Sequence, residues 1–253
     1  MKLFKKLFNF QADELQQAER RLQSRYAVGT DFPLLAAVAG NGWNGAGRVQ
    51  NLAVGGLGLV LDRGPAVDTG AAVKVGLRLE SYEILAAGLL RHVRVRAGGG
   101  FTCGVSLTVD DPGARQAYLQ LLIPVSIGCS LAPVDRTRVR QDEPGLRKTV
   151  YAGESASRLT VWSREEGAER GPVSFELAVG EHLVRGRAGT PGVQTFSRVD
   201  DQRPHRVTDF VAHHGGPLDR ELKQLFRWTV QNLREGVPAA VRKFLGGFAG
   251  ESG

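Results

Sequence analysis

Along the first half of the chain, apolar and polar positions alternate in short runs. PLLAAVA (33–39), RVQNLAV (48–54), GLGLVL (56–61), AAVKVGLRLE (71–80), ILAAGLLRHVRVR (84–96) and FTCGVSLTV (101–109) are separated by Gly, Pro, Asn or Asp, except at Ser81-Tyr82-Glu83. The period of two is clearest over 73–79 and 92–96, as in half-buried strands. About six strands so closely spaced predict an antiparallel sandwich or barrel. Asp111-Pro112 then starts a helix through Leu122, which Pro124 is expected to end. A second strand-rich series follows: LRKTVY (146–151), RLTVW (158–162), VSFELAV (173–179) and HLVRG (182–186). Glycine-containing gaps between these runs predict a meander of hairpins.

The pattern turns helical at both ends. Residues 11–24 hold Glu, Gln, Ala, Leu and Arg without Gly or Pro, and Leu15, Ala18 and Leu22 form a thin apolar stripe. Near the other end Leu218, Leu222, Leu225, Phe226, Val230 and Leu233 recur at helical spacing. Pro217 suits a first helical position, and Asp219 and Glu221 suit the first turn. Gly236 and Pro238 interrupt that helix, and Val241, Phe244 and Leu245 resume it. The expected fold class is therefore mainly β: an antiparallel sandwich or barrel of about six strands and a second small β-rich lobe, with N-terminal and C-terminal helices. The expected organisation is a helical extension over 1–19, a β-rich domain ending in a helix over 20–124, a linker over 125–145, and a β-meander with amphipathic C-terminal helices over 146–253. Pro133, Pro144 and Gly145 mark the linker.

Composition narrows the function classes. Hydrophobic residues make up 42%, enough for a core, and no apolar run approaches the roughly 18 residues of a membrane span. The first ten residues have no small-residue cleavage site and do not read as a signal peptide. Lys and Arg exceed Asp and Glu by 33 to 26, a formal +7, which favours an anionic partner such as a nucleotide, a nucleic acid or a lipid headgroup. Cys103 and Cys129 are far apart and lack CxxC spacing. They make neither a disulfide framework nor a zinc site, and a reducing cytoplasm is the expected compartment.

Catalytic and metal motifs are sparse. Gly40-Asn-Gly-Trp-Asn-Gly45 matches GxGxxG, but no helical period follows it, so Asn41-Gly42 or Asn44-Gly45 reads as a hairpin turn and not as a dinucleotide site. G-x-S-x-G, P-loop and HExxH motifs are absent. His213-His214 has no acidic partner at ligand spacing, His205 follows a proline, and Glu165-Glu166 reads as solvated turn charge. No metal site, cofactor or catalytic residue is expected. The segment 1–10, with Phe4, Phe8 and Phe10 among Lys2, Lys5 and Lys6, is short for a membrane-surface anchor, and packing on the protein's own surface is the favoured reading over peripheral membrane contact.

Two further stretches carry chemistry. Arg20, Arg21 and Arg25 lie where the first helix gives way to strand, and Arg21 and Arg25 are four residues apart. Guanidinium groups grip phosphate bidentately and stack on flat rings. Then Asn51-Leu-Ala-Val-Gly-Gly56 precedes a strand with glycines at 55, 56 and 58, an unusual density for a strand interior.

Arg21-Leu-Gln-Ser-Arg25 and Asn51-x-Ala53-x-x-Gly56 together resemble the RxxxR and D/N-x-S-x-x-G segments of the PilZ domain family, with Ala53 in place of the serine. Gly56-Leu-Gly-Leu59, Gly104-Val-Ser-Leu107 and the helix from 112 fit the family's later strands and closing helix, and the resemblance spans roughly 20–124. It implies a six-stranded barrel and a non-catalytic receptor for cyclic di-GMP. Arg21 and Arg25 would hold phosphates and guanine, Asn51 would meet a guanine edge, and Gly56 would let the backbone come close. Arg20 would go with a second stacked ligand molecule. Gly55 and Gly58 are explained by strand curvature and bulging. The alternative is a degenerate interaction scaffold without nucleotide, which Ala53 favours. In either case a protein partner is expected at the C-terminal lobe or helices, and no nucleic acid.

Overall fold

The computed structural model describes residues 3–8, 24–65, 68–165, 170–198 and 210–250. The helix expected over 11–24, with Arg20 and Arg21, falls outside these residues except for Ser24. The chain packs as two compact units, 1–125 and 126–253.

The first unit contains strands β1 (Tyr26–Ala27), β2 (Leu34–Gly40), β3 (Trp43–Ala53), β4 (Gly56–Leu61), β5 (Ala72–Leu79), β6 (Tyr82–Val95) and β7 (Phe101–Thr108). They run in the order β1-β3-β2-β5-β6-β7-β4, and β3 also pairs with β4, so six antiparallel strands close on themselves. Alternation builds the interior: Leu34, Ala36 and Val38 of β2, and Val73, Val75, Leu77 and Leu79 of β5, point inward and are buried. Asn41-Gly42 joins β2 to β3 with φ of 45° and 76°, the two left-handed positions of a primed hairpin turn. This settles the GxGxxG match as a turn, and Asn44-Gly45 lies inside β3.

Helix α1 spans Pro112–Ser130. Asp111 Oδ1 accepts from the Ala114 amide at 2.6 Å and caps its first turn. The helix does not stop at Pro124 but carries it internally, so residues 125–130 of the expected linker are helical. An internal proline costs about 3 kcal/mol, yet every residue from Gln116 to Gly128 is buried. Packing along that stretch outweighs local propensity. Residues 3–8 lie against the same helix. Leu3 and Phe4 are buried, and the fully buried Gln120 accepts from their amides at 2.8 and 3.1 Å. Its Nε2 donates to the carbonyls of Phe4 and Phe8, both at 2.6 Å.

The second unit is built on one antiparallel sheet, β14-β13-β12-β11-β10-β9-β8. Its strands are β8 (Ala132–Pro133), β9 (Leu146–Ala152), β10 (Ser157–Arg164), β11 (Gly171–Val179), β12 (His182–Arg187), β13 (Gln194–Arg198) and β14 (Phe210–His213). The four central strands follow the expected meander, whereas β8, β13 and β14 extend it. Helices α2 (Gly216–Gln231) and α3 (Ala239–Gly250) supply the apolar cover. The Phe175 ring stacks on Phe226 at 5.1 Å and meets Phe248 edge-on at 5.2 Å. Among the described residues no helix is long and apolar enough to cross a membrane.

Candidate ligand-binding face

The hairpin β3–β4 carries the second motif, and a bulge sets its geometry. Val49 pairs with Leu59 and Asn51 with Gly58, leaving Gln50 as an extra residue on β3. The bulge resets the alternation. Val49 and Leu52, three apart, are both buried, while Asn51 and Ala53 are half-buried on the face opposite Leu52. The Gln50 carbonyl accepts from the Val28 amide at 2.8 Å, which holds the chain after β1 to the bulge.

Strand β1 aligns the first motif with the second. Tyr26 pairs with Leu52 and Ala27 with Asn51. Continuing this antiparallel register by one residue sets Arg25 alongside Ala53, on the outward side shared with Asn51. Arg25 is exposed. The Arg48 guanidinium donates to the Thr30 carbonyl and steadies the loop between β1 and β2.

The glycines have distinct structural reasons. A Cβ on Gly56 would lie 2.6 Å from the Val105 carbonyl oxygen of β7, so the close strand approach itself needs glycine there. A Cβ on Gly58 would lie 2.6 Å from Asn51 Nδ2, because the Asn51 amide lies flat over that glycine. Gly55 is exposed at the turn, with open space around it. Asn51 Oδ1 is buried and has no hydrogen-bond partner, a costly state for an amide unless another group meets it. The turn is tied to α1: the Tyr118 hydroxyl donates to the Ala53 carbonyl at 2.7 Å and approaches that of Gly56 at 3.3 Å. Burial pushes the Tyr118 hydroxyl well above the ordinary tyrosine range, so it stays a donor. The sequence pattern did not single out Tyr118; its aromatic ring reads as core, and only the fold reveals what its hydroxyl reaches.

Elsewhere the expected loop histidines divide. His214 is exposed, His205 lies outside the described residues, and His213 ends β14. Ser197 Oγ lies 2.8 Å from His213 Nε2 and 2.8 Å from His182 Nδ1. No group of three or more His, Cys, Asp or Glu that could hold a metal occurs among the described residues. Glu165 pairs with Arg147 at 2.7 Å.

Residues 19–123 match the family model described as "PilZ domain". No curated protein matches the chain. Among solved structures, the chain is similar to the Borreliella burgdorferi PlzA protein, crystallised in complex with c-di-GMP. The identity is 6% and the TM-score 0.36, over 79% of this chain and 91% of that one. The assignment rests on the family match and on the closed barrel, not on that distant likeness. A six-stranded antiparallel barrel and its closing helix coincide with the stretch, residues 19–123, that matches the PilZ domain family.

Proposed function

We propose that the barrel is a non-catalytic receptor for the bacterial second messenger cyclic di-GMP, acting in the cytoplasm. The observation that carries this reading is the β1–β3 register, Tyr26 with Leu52 and Ala27 with Asn51, which begins one residue after the exposed Arg25. A dianion with two flat rings calls for guanidinium groups, an amide and backbone without side chains in the way. Arg21 and Arg25 hold phosphates and stack on or bond to guanine, with Arg20 beside them for a second ligand molecule. The Asn51 amide turns outward to offer Oδ1, buried and without a hydrogen-bond partner in this structure, to a guanine N–H. Gly56 keeps the turn low. Phosphate neutralises the arginine segment, which folds across the barrel and alters what the protein offers a partner, engaged through the second unit.

Ala53 favours a second reading, a scaffold that has lost its nucleotide. Titration calorimetry with cyclic di-GMP separates the two. In the receptor reading, Arg21→Ala and Arg25→Ala each weaken binding at least about tenfold while the fold persists. Ala53→Ser restores a hydroxyl on the outward face and strengthens binding by up to about one or two decades. A chain that takes up no ligand, with or without Ala53→Ser, overturns the receptor reading. Equal affinity in wild type and both arginine variants shows that the site lies elsewhere.

A further inference from the structure

Strand register extends the candidate face beyond the two motifs. Asn51 of β3 pairs with Gly58 of β4, Gly58 pairs with Gly104 of β7, and Gly104 pairs with His92 of β6. Two side chains thus flank two adjacent glycines. Asn51 lies over Gly58, and a Cβ on Gly104 would lie 2.1 Å from Cε1 of the His92 ring. Both side chains lean inward over a shelf that has none of its own. The next row runs Ala53, Gly56, Ser106 and Leu89, again with a glycine beside the motif residue. A second bulge, between Leu90 and His92, makes Arg91 the extra residue of β6. Its Nε donates to Ser106 Oγ at 2.9 Å, which draws the guanidinium toward this row. Arg91 and His92 are both exposed.

We propose that the ligand face continues across the glycine pair onto β7 and β6, with Arg91 and His92 as further binding residues. This extension rests on the receptor reading and deepens it. Cyclic di-GMP carries two guanines, and Asn51 offers an amide edge to one. The imidazole of His92 over Gly104 and the Asn51 amide over Gly58 form flat partners for a ring laid on top of them, and Arg91 supplies both a plane and a charge to a phosphate. The glycines let both side chains lie close to the sheet, so that a ring laid on them also reaches Arg91.

The test is titration of cyclic di-GMP into the full chain and into His92→Ala, Arg91→Ala and Arg78→Ala, with melting curves for each. Arg78 is exposed on β5, the strand across the barrel from β4, and serves as the charge control. Expected are losses of about tenfold for His92→Ala and for Arg91→Ala, no loss for Arg78→Ala, and unchanged melting. Wild-type binding with unchanged affinity in both test variants overturns the extension and leaves the receptor reading intact. An equal loss in Arg78→Ala also overturns it, because the effect is then overall charge. Absence of wild-type binding removes the receptor reading, and the extension with it.

Discussion

Gly55 and Gly56 are neighbours with opposite tolerances. A Cβ on Gly55 meets open space, and its φ is not left-handed, so Gly55→Ala restricts the unfolded chain without strain. We expect a neutral or slightly stabilising change, up to about 1 kcal/mol. A Cβ on Gly56 meets the Val105 carbonyl at 2.6 Å, and backbone must move to admit it. Gly56→Ala should cost about 2 kcal/mol or more, in the range of overpacked sites. Denaturant melts of the two variants check this; equal stabilities would mean that β4 and β7 are not so closely apposed. Gly58 forms a third case, since its neighbour is the movable end of Asn51 and not backbone.

At the scale of elements, the strands from β2 to β7 could be read from their alternation, and so could the core of the second meander. The breaks in alternation could not. Val49 and Leu52 are three apart, so a strict period of two would send one of them outward; only the paired strand reveals Gln50 as the extra residue. Likewise the sequence rule that ends a helix at proline failed in α1, because propensity is local and the burial from Gln116 to Gly128 is not. Arg91 and His92 read as part of an alternating strand, and their nearness to Asn51 depends on two intervening strands. The hold of α1 on residues 3–8 is a testable element-level contact. Gln120 alone meets two amides and two carbonyls there. Gln120→Leu keeps a similar volume but removes these four bonds, while the Phe8 carbonyl keeps its bond from Gln116 Nε2 at 3.2 Å. Hydrogen exchange at residues 3–8 should speed up by at least about tenfold while the barrel strands stay protected. Unchanged exchange would show that Leu3 and Phe4 burial holds the segment by itself.

For the whole molecule, acid should act on the second unit first. Burial lowers the His182 pKa, and nearby His213 lowers it further, against a smaller upward pull from Glu181. The unfolded chain then binds more protons than the folded one, so the stability from neutral His182 is complete above about pH 6.5 and is lost as pH falls below it. Burial raises the Asp219 carboxyl, but the Thr195 hydroxyl, Lys223 and the Gly215 backbone more than offset this and hold it below its ordinary value. Its contribution is complete above about pH 4 and disappears at lower pH. The groups that burial displaces in the first unit, Cys103 and Tyr118, both move upward, away from the acid range. Calorimetric scans at pH 7.5 and 5.0 should show the second unit's transition falling, with a smaller fall in His182→Asn. An equal fall in that variant would assign the effect to other groups. The two sheets also differ in what they leave unfinished. The six-stranded ring of the barrel is closed and carries only the two-residue β1 beside it, whereas the seven-strand meander ends at β8 and at β14, whose Phe210 and Val211 are 47% and 51% exposed. Recruitment of a foreign strand, and with it aggregation at high concentration, is therefore favoured at the borders of this second sheet, where the four residues of β14 and the two of β8 limit how much can attach.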